Sequence, residues 1–90
     1  MKRIRITIRG KVQRVGFRYY IKTIAYKMGL DGWVKNTPEG DVEILVEGPE
    51  RLLKEFVNYC KKGPALSKIE DVEVNDDFSA EKLRGFEILF

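Results

Sequence analysis

The spacing of apolar residues switches between two periods along the chain, and the order of the switches leaves few folds open. Ile4, Ile6 and Ile8 alternate with Arg3, Arg5, Thr7 and Arg9, the period of two of a strand with one face on a core. From Phe17 the period lengthens: Phe17, Ile21, Ile24, Ala25 and Met28 fall on one helical stripe, and Gly29 supplies its stop. Trp33 and Val34 begin a second strand, Asn36 to Gly40 reads as a hairpin loop, and Val42, Ile44 and Val46 resume strict alternation. Gly48-Pro49 opens a second helix, with proline at the first helical position and Leu52, Leu53, Phe56, Val57 and Cys60 as its apolar stripe. Lys61-Lys62-Gly63-Pro64 ends it. Ile69, Val72 and Val74 give a fourth strand terminated by Asn75-Asp76-Asp77, and Phe86, Ile88 and Phe90 a last one. The expected fold is α+β, the ferredoxin-like split βαβ (β-α-β-β-α-β). It is a two-layer sandwich of an antiparallel sheet with two helices on one face and an added C-terminal strand.

Ninety residues, 43% of them hydrophobic, suit a single domain spanning 1–90 with one core. No apolar run reaches the roughly 18 residues of a membrane span, and the start of the chain lacks the apolar block of a signal peptide. A cytoplasmic protein without a membrane partner is expected. The chain has no His and one Cys, at position 60. A Ser-His-Asp or Cys-His nucleophilic site is therefore excluded, as is a zinc, haem or iron site needing several His or Cys ligands. Cys60 can form no internal disulfide and lies on a helix stripe, where it reads as a small buried hydrophobe. Any chemistry must run on Arg, Lys, Asn, carboxylates, hydroxyls and backbone amides.

Charge is distributed unevenly. The first 30 residues hold nine of the 17 basic residues and none of the 14 acidic ones. That segment is suited to facing an anion, but it equally fits a basic strand that complements acidic partners elsewhere in the fold. Within it, Gly10-Lys-Val-Gln-Arg-Val-Gly16-Phe-Arg18 runs from the first strand straight into a helix N-terminus. Backbone N–H groups in such a turn can converge on an anion, the helix dipole adds to them, and Arg18 can supply two parallel hydrogen bonds to a phosphate. The same residues also fit an ordinary glycine-containing turn with a solvated arginine. Asn36, at the hairpin, is by itself a turn residue. Its interest is that, with no His available, a neutral amide could hold a water.

The stretch Gly10 to Arg18 resembles the first acylphosphatase signature, G-x-V-Q-G-V-x-F-R, and Gly32-Trp-Val-Lys-Asn36 with Gly40, Val42 and Gly48 resembles the second. Gly63-Pro-Ala-Leu-Ser67 also follows the second helix as it does in that family. The resemblance spans essentially the whole chain. It implies a metal-independent, cofactor-free hydrolase that splits acyl phosphates into a carboxylate and inorganic phosphate. It places the phosphate-binding arginine at Arg18 and the water-orienting asparagine at Asn36. The phosphate cradle falls on Gln13, Arg14, Val15, Gly16 and Phe17, together with Arg18.

The chemistry is consistent with these residues. A carboxylate leaving group needs no proton from a general acid, and phosphoryl transfer asks mainly for positioning and charge stabilisation. One departure stands out: the signature has glycine where this chain has Arg14. If that position needs positive φ, a non-glycine residue costs about 1–2 kcal/mol. Alternatively the side chain points outward and adds a cation near the phosphate or an acidic acyl group, the reading preferred here because the rest of the signature is intact. Two further functions compete: a non-catalytic domain that binds a phosphorylated ligand, and a nucleic-acid module on the sheet face. Against the latter, the outward positions are Arg3, Arg5, Thr7 and Arg9 beside Glu43, Leu45 and Glu47, with no row of aromatics. Trp33, Phe56, Phe86, Ile88 and Phe90 read as core, and the acidic cluster Glu70, Asp71, Glu73, Asp76 and Asp77 as strand alternation and a polar loop. With no extra apolar stripe, a monomer acting on a small-molecule acyl phosphate is expected.

Overall fold

In the computed structural model, which describes residues 1–90, β1 (Lys2–Lys11) is the strand on which the sheet is assembled. It pairs antiparallel with β3 (Val42–Gly48) on one side and β4 (Lys68–Asp76) on the other. β2 (Asp31–Asn36) lies antiparallel to β3, and β5 (Phe86–Leu89) closes the order β4-β1-β3-β2-β5. Two helices, α1 (Phe17–Lys27) and α2 (Glu50–Lys62), complete the expected β-α-β-β-α-β order with its added strand. That last strand runs parallel to β2, so the sheet is antiparallel except at this edge. The reason is the path of the chain. β4 stands at the far edge, and the 77–85 connection must cross to β2, which it meets where β2 begins. Gly85 donates its N–H to Asp31 Oδ1 and its carbonyl accepts from the Gly32 N–H.

The alternating residues of the sequence face one core. Ile4, Ile6 and Ile8 of β1, Val34 of β2, and Val42, Ile44 and Val46 of β3 are buried against Phe17, Ile21 and Ala25 of α1 and Leu53, Phe56 and Cys60 of α2. Each valine, leucine, isoleucine or phenylalanine among them, taken wholly out of water, contributes on the order of 1.5–3 kcal/mol. Phe86 joins this core edge-on to Phe56, with ring centroids 6.3 Å apart. Burial pushes the Cys60 thiol upward in pKa, which fits its place as a core residue. Gly29, at φ 69, follows the C-terminal turn of α1 as the stop. Two boundaries differ slightly from the sequence reading. Pro49 caps α2 from outside, and β4 continues through Asn75 to Asp76 because those residues still pair with Arg5 and Ile4.

Two residues read as core stand elsewhere. Trp33 is buried, but on the opposite face of the sheet, beside Leu45 in the register and between the Arg5 guanidinium and the Lys35 ammonium. Period two places Val34 inward, so Trp33 must face outward, and long neighbouring side chains cover it. Phe90 lies beyond the end of β5 and is fully exposed.

The open face also resolves the uneven charge. Arg3 pairs with Glu47 (2.8 Å) directly across the ladder, Arg5 with Glu43 (2.8 Å) and Asp77 (2.9 Å), and Arg9 with Asp71 (2.8 Å) and Glu73 (3.0 Å). Lys2 bridges Glu50 and Asp76. The arginines of β1 therefore complement acidic strands, as cross-strand neighbours of opposite charge do. Asp77 Oδ1 accepts from the Ser79 N–H (2.8 Å) and Oδ2 from Arg5 Nε (2.9 Å), which holds the carboxyl down at a pKa of about 2. A carboxyl depressed in the folded state stabilises above its unfolded value, near pH 4, and that contribution is lost as pH falls through about 2. Asp77→Asn should therefore flatten the acid limb of stability between about pH 4 and 2. Urea midpoints followed by Trp33 fluorescence at both ends of that range check it; an unchanged slope would refute the role of Asp77.

Candidate functional site

β1 leaves the sheet at a bulge, where the register with β4 shifts between Arg9 and Gly10. The close approach there demands glycine: at φ 130, a Cβ on Gly10 would collide with the Lys68 carbonyl. The chain then turns through 12–16 into α1. Val12 is buried in the core and Val15 packs against it, so the loop is pinned by its two valines. Gly16 caps α1 in the left-handed region (φ 77), without any side-chain capping bond and with no acidic residue in the first turn. Tyr20 N–H to Gly16 O, at 3.0 Å, begins the helical ladder, and the N–H groups of Gln13 to Gly16 donate to no backbone carbonyl. Those groups and the orphan donors of the first turn together make a positive concavity.

Arg14 also has positive φ, at 62°, and its side chain is exposed. The two alternatives raised by the sequence thus hold together: the backbone takes the disfavoured conformation, and the cation is displayed to solvent. The Gln13 side chain turns away from the concavity. Its Nε2 donates to the carbonyls of Thr37 and Asp41, each at 2.9 Å. The loop is thereby fastened to the β2–β3 hairpin, which closes through Thr37 N–H to Asp41 O (2.9 Å) and Asp41 N–H to Thr37 Oγ1 (3.1 Å).

Asn36 is the last residue of β2, held opposite Val42, so its side chain projects at the sheet end adjoining the loop. Arg14, Gly16, Phe17, Arg18 and Asn36 line one cleft of about 150 Å³ with Val12, Tyr19, Ile88 and Phe90. The side chains of Gln13 and Val15 do not reach it. No Asp or Glu lines this cleft, and neither Arg14 nor Arg18 has an acidic side-chain partner. Arg18 is instead held by neutral groups. Its Nη1 donates to the Leu89 carbonyl at 3.2 Å, and its guanidinium lies 4.7 Å from the Phe90 ring centroid. Such a cation is fixed in direction while its charge stays uncompensated.

Asn36 Oδ1 is the one buried side-chain polar atom in the protein without a hydrogen-bond partner. Buried acceptors are nearly always satisfied, and leaving one open costs about 1–3 kcal/mol. An open acceptor beside an uncompensated guanidinium is suited to a water molecule next to an anion.

Phe90, Tyr19 and Ile88 line this cleft and the Leu89 carbonyl holds Arg18, and the sequence reading did not place them there. Nothing local signals them. Phe86, Ile88 and Phe90 alternate as core residues do, and only the parallel pairing of β5 with β2 brings their end to Arg18. No group of three His, Cys, Asp or Glu side chains is arranged to hold a metal ion. No helix is long and apolar enough to cross a membrane.

Comparison with known proteins identifies the family and agrees with the fold. The family model described as acylphosphatase matches residues 4–88. A Bacillus subtilis (strain 168) protein named acylphosphatase is 46% identical over 90 residues, covering 100% of this chain and 99% of its own length. The crystal structure of acylphosphatase from Bacillus subtilis superposes with a TM-score of 0.94 and full coverage of both chains. That of an acylphosphatase from Coxiella burnetii gives 0.90 at 30% identity, covering 98% of this chain and 92% of its own.

Proposed function

The chain belongs to the acylphosphatase family and is a hydrolase of acyl phosphates, and from that premise we propose how its residues divide the reaction. Arg18 and the N–H groups of residues 13–18 hold the phosphoryl group, and Asn36 orients the water that attacks it. The observation that carries this reading is the open acceptor Asn36 Oδ1 in the same cleft as the uncompensated Arg18.

A phosphoryl group seated on the loop places its equatorial oxygens against backbone donors and the guanidinium fork. Charge developing on those oxygens is then met by groups already in position, and no reorganisation is needed in the transition state. Asn36 Oδ1 accepts from the attacking water and aims its lone pair at phosphorus. The new P–O bond forms as the bond from phosphorus to the acyl oxygen breaks, and the electron pair leaves on the carboxylate. A carboxylate is a weak base, so it departs without a protein acid. The water's proton passes to a phosphoryl oxygen of the substrate, since no His, Asp or Glu lines the cleft. An Asp at position 36 would add a repelling charge where the amide adds none.

Two consequences distinguish this scheme from one that uses a protein base or a resident metal. Benzoyl phosphate should be hydrolysed at the same rate with and without EDTA. The pH-rate profile of kcat should show no essential protein group titrating between about pH 5 and 8. Loss of activity on chelation, or a bell centred near neutrality in the kcat profile, would refute the assignment. We further propose that the enzyme works as a cytoplasmic monomer on a small-molecule substrate. On the open sheet face the arginines of β1 are paired with carboxylates, which speaks against a nucleic acid docking there and for a small substrate.

A further inference from the structure

We propose that Arg14 selects acyl phosphates whose acyl part carries a second anionic group; the inference rests on the phosphoryl group sitting at Arg18. The cleft holds about 150 Å³, below the roughly 300–1,000 Å³ of pockets that enclose a whole small ligand. It can take a phosphoryl group, and the acyl part must then lie across the rim. The rim side chains are Arg14, Tyr19 and Phe90, all exposed.

Of these side chains, that of Arg14 alone carries charge, and no acidic side chain pairs with it. Every arginine of β1, by contrast, has an acidic partner. Its backbone stands at φ 62, a conformation that L side chains disfavour and glycine takes freely. A long cation stands where only glycine would sit without strain, and strained positions of this kind collect at ligand-binding sites. Arg18 and the loop N–H groups already face the phosphoryl oxygens. The unpaired guanidinium at the rim is thus left to meet the other end of the substrate, and a carboxylate there could take two parallel hydrogen bonds from it.

The test compares benzoyl phosphate with 3- and 4-carboxybenzoyl phosphate, which share the phosphoryl group and ring and differ by one charge. In the wild type at low ionic strength, kcat/KM should favour at least one carboxylated substrate by about three- to tenfold. That preference should fall to about one in Arg14→Gln, which keeps the non-glycine backbone, and persist in Arg14→Lys. About 0.5 M salt should shrink it, because the pair is exposed. Equal kcat/KM on all three substrates in the wild type would overturn the proposal. So would a preference that survives Arg14→Gln, or a loss in that variant that is uniform across substrates, since Arg14 would then serve only the phosphoryl group. Full activity of Arg18→Ala on benzoyl phosphate would overturn the placement on which the inference rests.

Discussion

Arg18→Ala should lower kcat/KM for benzoyl phosphate by at least about a thousandfold, a loss of roughly 4 kcal/mol of transition-state stabilisation. The magnitude follows from the surroundings. The guanidinium has no carboxylate partner, lies in a cleft without acidic residues, and is aimed by the Leu89 carbonyl and the Phe90 ring. Its whole charge is available to the phosphoryl oxygens, partly shielded from water. Arg18→Lys should recover little, because an ammonium cannot make the two-pronged contact and would not stack on Phe90 in the same way. Stability should hardly change. The side chain is half-buried and its one protein hydrogen bond is long, so removing it costs at most about 1 kcal/mol. A thermal scan of the variant separates this from unfolding.

Asn36→Ala should lower kcat by about 10²–10³-fold while leaving KM and the affinity for inorganic phosphate near wild type. The split arises because Asn36 is assigned to the water and not to the phosphoryl group. The same substitution should leave the protein as stable as before, or more stable by about 1 kcal/mol, since it deletes a buried acceptor that nothing in the fold satisfies. Inactivity without destabilisation marks a group kept for function. Denaturant midpoints of the two proteins check it, and a variant destabilised by several kcal/mol would show that Asn36 holds the hairpin instead.

Much of this was legible in the chain because local patterns carried it. Ile4, Ile6 and Ile8, and then Phe17, Ile21 and Ala25, fix strand and helix by period alone, since each element must turn one face to a shared core. The two glycine-bearing signatures likewise placed Arg18 and Asn36, because a loop entering a helix and a hairpin leaving a strand are local structures. What escaped was set by distant parts of the chain. Phe90 continues the alternation of Phe86 and Ile88, yet it stands past the last ladder pair and meets Arg18 only because β5 lies alongside β2. Trp33 shows the limit of burial by residue type, for it is buried on the face its register dictates, under Arg5 and Lys35. Gln13 lies within the loop signature, but its amide spans to Thr37 and Asp41 across the site, a link that only the folded chain creates. Six of the nine cations of the first 30 residues also divide only in the structure: Lys2, Arg3, Arg5 and Arg9 find acidic partners, while Arg14 and Arg18 line the cleft without one.

The division of labour between Arg18 and Asn36 is tested most directly by measuring, in EDTA, both the turnover of benzoyl phosphate and inhibition by inorganic phosphate in the wild type, Arg18→Ala and Asn36→Ala. The predicted result is that Asn36→Ala binds phosphate as the wild type does but barely turns over, whereas Arg18→Ala loses both. Wild-type turnover in Asn36→Ala, or undiminished phosphate binding in Arg18→Ala, would contradict it.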